Sequence, residues 1–554
     1  MYVFCLLALY GNDYLPSVLG SKSGRQWSTV EPGIITNDVY DLSLPDAGLT
    51  EYSSAIEKRV DAFNLLFDDQ IIETMVAETN RKATATISSN LWTPTDAHEI
   101  RAFLGVLTIA GALNVQKRDS TNHWNLHCVL RQPIFAMAIS KNRFDSIRRF
   151  IRYENFNTRR QRQVITVPNP NNPDESIQVL DRIVHIRDIF ERFVQNCKKA
   201  YYPNKCVTVD EQLLGYRGKC KFKVYMASKP DKYGIKIWAL CDSENFYVYN
   251  LKIYTGKIGG ISEKNQAQHV VEELIEDLHP GHRITCDNFF TSLNLAESLT
   301  EKRFTLLGTI RRNKPDIPDE LLATRNREVF SSLFAYNENN ILVSYMAKKN
   351  LPVLLLTTEK ISSSTDFNRR TLNRDGQYLP PRNIRGTYDT VEDAENMEER
   401  EDVNNIQRGF RRIEDANGPI ADKSKKFKPF IILEYNRTKG GVDTMDQLIK
   451  QYPPFFKTRR WPFRVMQNML SIAGINAYKL YSIKYNLHRK QEERWNFLIN
   501  LSLELIRANA IRRQTTKQVS PYIREQIREL YNLEETAMQI EYEDNENCIA
   551  KKRR

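Results

Sequence analysis

Val207-Thr208-Val209-Asp210-Glu211-Gln212 opens the part of the chain whose reading decides the fold. A short β-branched run ends there on a carboxylate. The figure returns at Ile284-Thr285-Cys286-Asp287-Asn288-Phe289-Phe290. A third tract, Gly440-Gly441-Val442-Asp443-Thr444-Met445-Asp446-Gln447, sets two carboxylates three residues apart at an expected helix start. Spaced in this way they share one helix face, and the glycine pair permits a sharp entry into the helix. Carboxylates at strand ends and on a helix face are the oxygen ligands that a hard divalent cation takes. The chain carries 80 Lys+Arg against 68 Asp+Glu, a net charge of +12. That balance favours a polyanionic partner. Each carboxylate also has a plainer reading: Asp443 as a helix cap, and Asp210 beside Glu211 as a salt-bridged strand end.

Outward from these tracts the hydrophobic period changes twice. Between about 55 and 200 it is helical. Asp96 and Glu99 predict a capping box, followed by Ile100, Phe103, Leu104 and Leu107. Val106, Ile109 and Leu113 make that helix apolar nearly all round, which predicts burial. Phe144, Ile147, Phe150 and Ile151 form a second stripe, with Arg143, Arg148 and Arg149 off it. From Cys206 onward, runs rich in Val, Ile, Tyr and Phe predict strands at 206–209, 233–240, 246–251, 283–286 and 304–310. Asp242-Ser243-Glu244-Asn245 predicts a hairpin loop. Helical stretches around 270–278 and from 293 interleave with the later strands. Strands and helices in this order predict an α/β layer with a mixed sheet. After 460 the period is helical again.

At 554 residues the chain exceeds one core, so two to four structural units are expected. Residues 361–426 are polar and charged and predict a flexible insertion. The eight cysteines form no Cys-x-x-Cys pair, and His123 and His127 have no such pair beside them, so no zinc finger is expected. Reduced thiols fit an intracellular protein. Met1–Tyr10 is apolar but has no basic leader and is too short to span a bilayer; an irregular translation start is the reading adopted. No later run is long and apolar enough for a membrane span, so no membrane partner is expected.

Phe455-Phe456-Lys457-Thr458-Arg459-Arg460-Trp461 follows the third tract. Lys457, Arg459 and Arg460 are candidates for phosphate contacts, and Trp461 for stacking on an unpaired base. The plainer reading packs Trp461 in the core, with Pro462 in the first turn of a helix. Arg217, Lys229 and Lys232, beyond Asp210, are further candidates for DNA contact.

Several longer motifs carry a resemblance. Val209-Asp210-Glu211-Gln212-Leu213-Leu214-Gly215-Tyr216-Arg217-Gly218 comes first, then Lys229-Pro230 with Lys232-Tyr233-Gly234-Ile235-Lys236. Thr285-Cys286-Asp287-Asn288-Phe289-Phe290-Thr291-Ser292 follows, then Thr438-Lys439-Gly440-Gly441-Val442-Asp443-Thr444-Met445-Asp446-Gln447 and Arg460-Trp461-Pro462. In sequence and order these resemble the piggyBac transposase family, from about Trp27 to about residue 508. The resemblance implies an α/β, ribonuclease-H-like catalytic core with a mixed sheet, interrupted by an insertion and flanked by a split α-helical domain. It implies metal ligands at Asp210, Asp287 and Asp443, with Asp446 as an additional catalytic carboxylate. Two Mg2+ ions, or Mn2+ in their place, would be the cofactors.

The expected organisation is an irregular tail at 1–50 and a first helical dimerisation and DNA-binding part at 51–205. The core's first part follows at 206–315, then the insertion domain at 316–430 and the last core helix at 431–455. The second helical part is 456–535, and 536–554 is a polar, basic-ended tail. The implied reaction is cleavage and strand transfer at transposon ends with TTAA targets. It would be carried out by a nuclear homodimer on double-stranded DNA. The family's active members commonly carry a C-terminal cysteine-rich zinc domain. Only Cys548 lies beyond Cys286, so that module is not expected here. The alternative is a domesticated, non-catalytic DNA-binding or chromatin-associated derivative.

Overall fold

The computed structural model describes residues 15–32, 44–87, 91–117, 120–125, 132–169, 171–325, 327–359, 429–487 and 492–533. The flexible stretch expected at 361–426, His127, Met1–Tyr10 and the polar tail lie outside them. The chain divides into two compact units. One comprises Met1–Asp41 and Thr285–Arg437, the other Leu42–Ile284 and Thr438–Arg554. The strands run β1 (Val18–Gly20), β2 (Gln26–Ser28), β3 (Gly48–Leu49), β4 (Val164–Asn169), β5 (Asn172–Leu180), β6 (Tyr201–Tyr202), β7 (Cys206–Gly215), β8 (Val224–Tyr225), β9 (Tyr233–Asp242), β10 (Val248–Ile253), β11 (Arg283–Cys286), β12 (Thr305–Thr309), β13 (Ser332–Asn337), β14 (Asn340–Lys348) and β15 (Leu351–Thr357).

In the larger unit β9 is central, antiparallel to β7 on one side and to β10 on the other, with the short β8 also on it. The register sets Asp210 opposite Ala239 and Glu211 opposite Trp238. The β9–β10 connection is the expected hairpin loop. Asp242 Oδ1 accepts the Glu244 and Asn245 amides at 2.8 and 3.2 Å, satisfying donors a tight turn would leave bare. Also in the larger unit, the Arg283 amide at the start of β11 donates to the Lys205 carbonyl at 2.8 Å, just ahead of β7.

The helices on either side of the sheet segment in sequence share one core. The Ala97–Ala112 helix is buried on nearly every face, as its all-round apolar sequence predicts. It packs on the Arg494–Gln514 helix, where a Cβ at Gly105 would stand 2.9 Å from Ile506 Cγ1 and 3.1 Å from the Ser502 carbonyl. Only glycine permits that approach. The Trp461–Lys484 helix joins the same core. The capping box at Asp96 is half made. Asp96 accepts the Glu99 amide at 2.9 Å, but the Glu99 carboxylate binds Thr95 and Arg143 instead of reaching back. Arginine offers a charged partner, and that outcompetes the backbone amide.

The smaller unit draws on two of the expected segments. The tail expected at 1–50 contributes β1 and β2, and β2 meets β13 at Ser28↔Tyr336. Trp27 is fully buried and donates to the Asp316 carbonyl at 3.0 Å. That anchor holds a stretch too polar and glycine-rich to read as a strand. Residues 332–357, placed in a separate insertion domain, form β13, β14 and β15, and β15 pairs antiparallel with β12. The strands of the expected insertion therefore extend the sheet containing β12. The apolar run at Phe430 is helical, Phe430–Thr438.

Candidate active site and nucleic-acid cleft

Asp210 lies in the middle of β7, not at a strand end. The strand continues because the polar Gln212 is buried and satisfied. Its amide exchanges hydrogen bonds with Asn468 at 2.8 and 3.3 Å and donates to Asp446 at 3.0 Å. Asp446 also accepts from Lys450 at 2.8 Å, and the two hydrogen bonds fix its rotamer.

The third tract forms the helix Gly441–Gln451, capped by Gly440, with Asp443 in its first turn. Asp443 is thus not the cap itself. A Cβ at Gly441 would stand 2.5 Å from Thr208 Oγ1, so the glycine lets the helix lie directly on β7. The Thr208 hydroxyl donates to the Thr438 carbonyl at 2.6 Å, pinning the helix entrance beside Asp210. Asp443 is 65% exposed and points outward.

Lys229 provides the positive charge among these carboxylates. Its Nζ lies 3.6 Å from Glu211 and 4.0 Å from Asp443, and donates to the Glu211 carbonyl at 3.3 Å. Burial alone would lower its pKa, but Glu211, Asp210, Asp443 and Asp446 outweigh burial and hold it above the ordinary lysine value. The donor set suits a hard cation: its side-chain ligands are oxygens, and an ammonium already answers their demand for positive charge. Among the described residues, no group of three His, Cys, Asp or Glu side chains is arranged to hold a metal ion. Asp287 belongs to the smaller unit, one residue past β11, where its Oδ1 accepts the Phe289 amide at 2.8 Å.

The basic candidates separate by burial. Arg217, Lys232, Lys457 and Arg459 are exposed. Arg460 is half-buried and already hydrogen-bonded to the main chain. Its guanidinium binds the Ile151 carbonyl at 2.9 Å and the Arg148 carbonyl, closing the C-terminal end of the Lys141–Phe150 helix. Unpaired carbonyls at a helix end attract a buried cation, which overrides the solvent exposure expected of an arginine. Trp461 is half-buried, edge-on to Phe222 and His185, as the plainer reading had it. Behind it Glu154 is nearly fully buried and accepts from Arg159 at 2.8 Å. Burial would raise its pKa, but hydrogen bonds from His185 and Arg159 lower it below the ordinary carboxylate value.

Arg217, Lys457 and Arg459 line one cleft of about 1290 Å³ with Arg182, Lys219 and Arg464; its walls carry eight basic side chains against Asp181 and Asp231. Gly218 lets the loop fold under the Tyr216 ring, whose hydroxyl donates to the Arg459 carbonyl at 2.6 Å. A second cleft of about 990 Å³ shares Lys457 and Arg464 and reaches Asp446. Sequence reading missed Gln212, Asn468 and Arg464. Only Arg464 left a signal, four residues beyond Arg460 on the same basic tract.

Carboxylates on a strand and an abutting helix, beside a basic cleft, define a nucleic-acid-processing class, and the comparisons agree. A family model described as Transposase IS4 matches residues 59–384 and 406–478, and the chain belongs to that transposase family. Within it the chain is of the piggyBac type. It is 23% identical over 444 residues to human PiggyBac transposable element-derived protein 3, covering 78% of this chain and 62% of that protein. The same identity holds with the human Chimeric ERCC6-PGBD3 protein, of which 35% is covered. The chain thus spans less than two thirds of the length of these relatives. A solved piggyBac transposase synaptic complex with hairpin DNA superposes with a TM-score of 0.69 at 28% identity, over 87% of each chain. The fold is therefore the α/β, ribonuclease-H-like fold with a split helical domain. Among the described residues no helix is long and apolar enough to cross a membrane.

Proposed function

We propose that this chain is a DNA transposase that cleaves and rejoins strands at transposon ends, with TTAA targets. Double-stranded DNA at element ends and target would be its partner, a homodimer its working form and the nucleus its compartment. The observation that carries the reading is the helix of Asp443 and Asp446, seated by Gly441 against β7, the strand of Asp210, with Asp446 lining a cleft that shares Lys457 and Arg464 with the basic one. Asp210, Asp287 and Asp443 would hold Mg2+ or Mn2+, with Asp446 in support. Two bound divalent ions supply an activated attacking oxygen and a stabilised leaving oxygen. The chain's own residues do the rest. Gln212 holds Asp446 in place, and Lys229 supplies positive charge next to the carboxylates. Lys457, Arg459 and Arg217 neutralise phosphates along the cleft, with Lys232 beside it.

The test is cleavage of a duplex containing the element's own end in magnesium. Asp287→Asn keeps the shape but removes the charge a hard cation needs. It should abolish cleavage and leave duplex binding intact. Equal nicking by the wild type and the variant would assign the activity elsewhere. The second reading is a domesticated DNA-binding or chromatin-associated protein without catalysis. Binding without cleavage by the wild type, in both magnesium and manganese, would favour it.

A further inference from the structure

Arg464 stands in the first turn of the Trp461–Lys484 helix and lines both clefts, the basic one and the one that reaches Asp446. Its side chain makes no hydrogen bond and no ion pair with any described residue. Nε and Nη1 are both buried and unpartnered, and among the described residues no other arginine has two such nitrogens. The guanidinium lies over the Phe455 ring, 4.6 Å from its centroid. That contact orients the plane but satisfies no N–H. Burial lowers its pKa, and the nearby Asp231 and Tyr216 only partly offset this.

A buried guanidinium without acceptors costs stability. A structural arginine in this protein looks different: Arg460, one turn earlier, spends its donors on the Ile151 and Arg148 carbonyls. Arg464 is instead half-buried on the wall of a cleft rich in cations, with Nε and Nη1 sealed beneath the surface and the rest of the guanidinium left to meet a ligand. An acceptor that reaches it from such a cleft is anionic. A phosphodiester meets that demand.

We propose that Arg464 is a phosphate-binding residue that grips a DNA backbone phosphate where the basic cleft meets the cleft leading to Asp446. This rests on the DNA-processing reading and adds a residue that the motifs do not contain. Lys457, which lines the same two clefts, would supply a second positive charge at that phosphate. A strand held there is led toward the carboxylates, so Arg464 acts by positioning, not in the chemical step.

The test uses the full chain and a fluorescein-labelled duplex titrated at several NaCl concentrations. Arg464→Met preserves length and packing but removes the donors. Its affinity should fall about tenfold or more, the size of a lost charged hydrogen bond. The slope of log K against log[NaCl] should shrink by about 0.9, one phosphate's worth of released counterion. Its Tm should equal or exceed the wild type, because an unsatisfied buried charge is gone. Arg464→Lys, which keeps charge without the fork, should fall between. Lys349→Met, an exposed lysine in the turn between β14 and β15 and outside the cleft, should leave affinity unchanged. Wild-type affinity and slope in Arg464→Met would overturn the assignment while leaving DNA binding intact. A lowered Tm in both Arg464 variants would overturn it in favour of a structural role. No duplex binding by the wild type would overturn the DNA reading itself.

Discussion

At the scale of single residues, the site depends on how unlike charges are paired. Lys229 brings positive charge to Glu211, Asp210 and Asp443, and Lys236 adds a second ammonium 4.0 Å from Glu211. Lys229→Met should therefore destabilise the metal-free protein by about 1–3 kcal/mol. Magnesium should raise the variant's Tm more than it raises the wild type's. Differential scanning fluorimetry in EDTA and in magnesium reads both; an equal response to magnesium would mean that Lys229 is not the counter-ion. Glu154 gives a pH signature. Its folded pKa lies below the unfolded value near 4.5, so its stabilising effect is complete above that value and is lost as pH falls through the folded pKa. Glu154→Gln should cost about 3 kcal/mol at neutral pH, since Arg159, Arg162 and His185 lose their buried partner. The deficit should shrink steadily in urea titrations below pH 4.5. A deficit independent of pH would assign the loss to packing.

At the scale of elements, the contact between β7 and the Gly441–Gln451 helix governs the site. Gly441→Ala puts a methyl against Thr208 Oγ1 and Cβ. It should cost about 1–3 kcal/mol and reduce cleavage more than DNA binding, because it moves Asp443 away from Asp210. In a double-mutant cycle, Thr208→Ala should recover part of that loss, since the hydroxyl is the nearest atom. Strict additivity would show that the two do not collide. This contact also marks how far the sequence could be read. The core strands read at 233–240 and 283–286 followed from β-branched and aromatic runs, the first running two residues further in the structure, and the hairpin loop followed from Asp242 to Asn245. The extent of β7 did not, because Glu211-Gln212 looks like a stop; Asn468 and Asp446, both more than 230 residues away, make Gln212 acceptable inside. The main-chain bonding of Arg460 was illegible for the same reason. Its partners are main-chain carbonyls about 310 positions earlier, and carbonyls have no sequence signature. The three carboxylate tracts were legible because their chemistry is local: an acidic residue after a β-branched run, and a glycine pair before a helix.

At the scale of the whole molecule, the larger unit is built from pieces far apart in sequence. The Ala97–Ala112 helix has its principal partner in the Arg494–Gln514 helix, with Asn509 donating to the Ala138 carbonyl at 2.7 Å and Trp495 to the Ala112 carbonyl at 3.0 Å. A chain ending at 455 would lose Phe463, Met466, Leu498, Leu501 and Leu505 from that core. It should retain helical circular dichroism, bind a hydrophobic dye and show no cooperative thermal transition. A sharp transition in that fragment would mean the first helices form a core of their own.

The apolar helix at 97–112 has one more consequence, which concerns synthesis. Its partner emerges from the ribosome roughly 380 residues later. At typical elongation rates that is about 20–80 s during which a segment greasy on every side lacks its principal partner. A slow step of this kind makes the yield of native protein depend on how quickly the ribosome moves and on which holdase reaches the nascent chain first. Expression of this protein should then respond to chaperone supply and growth temperature more than to promoter strength.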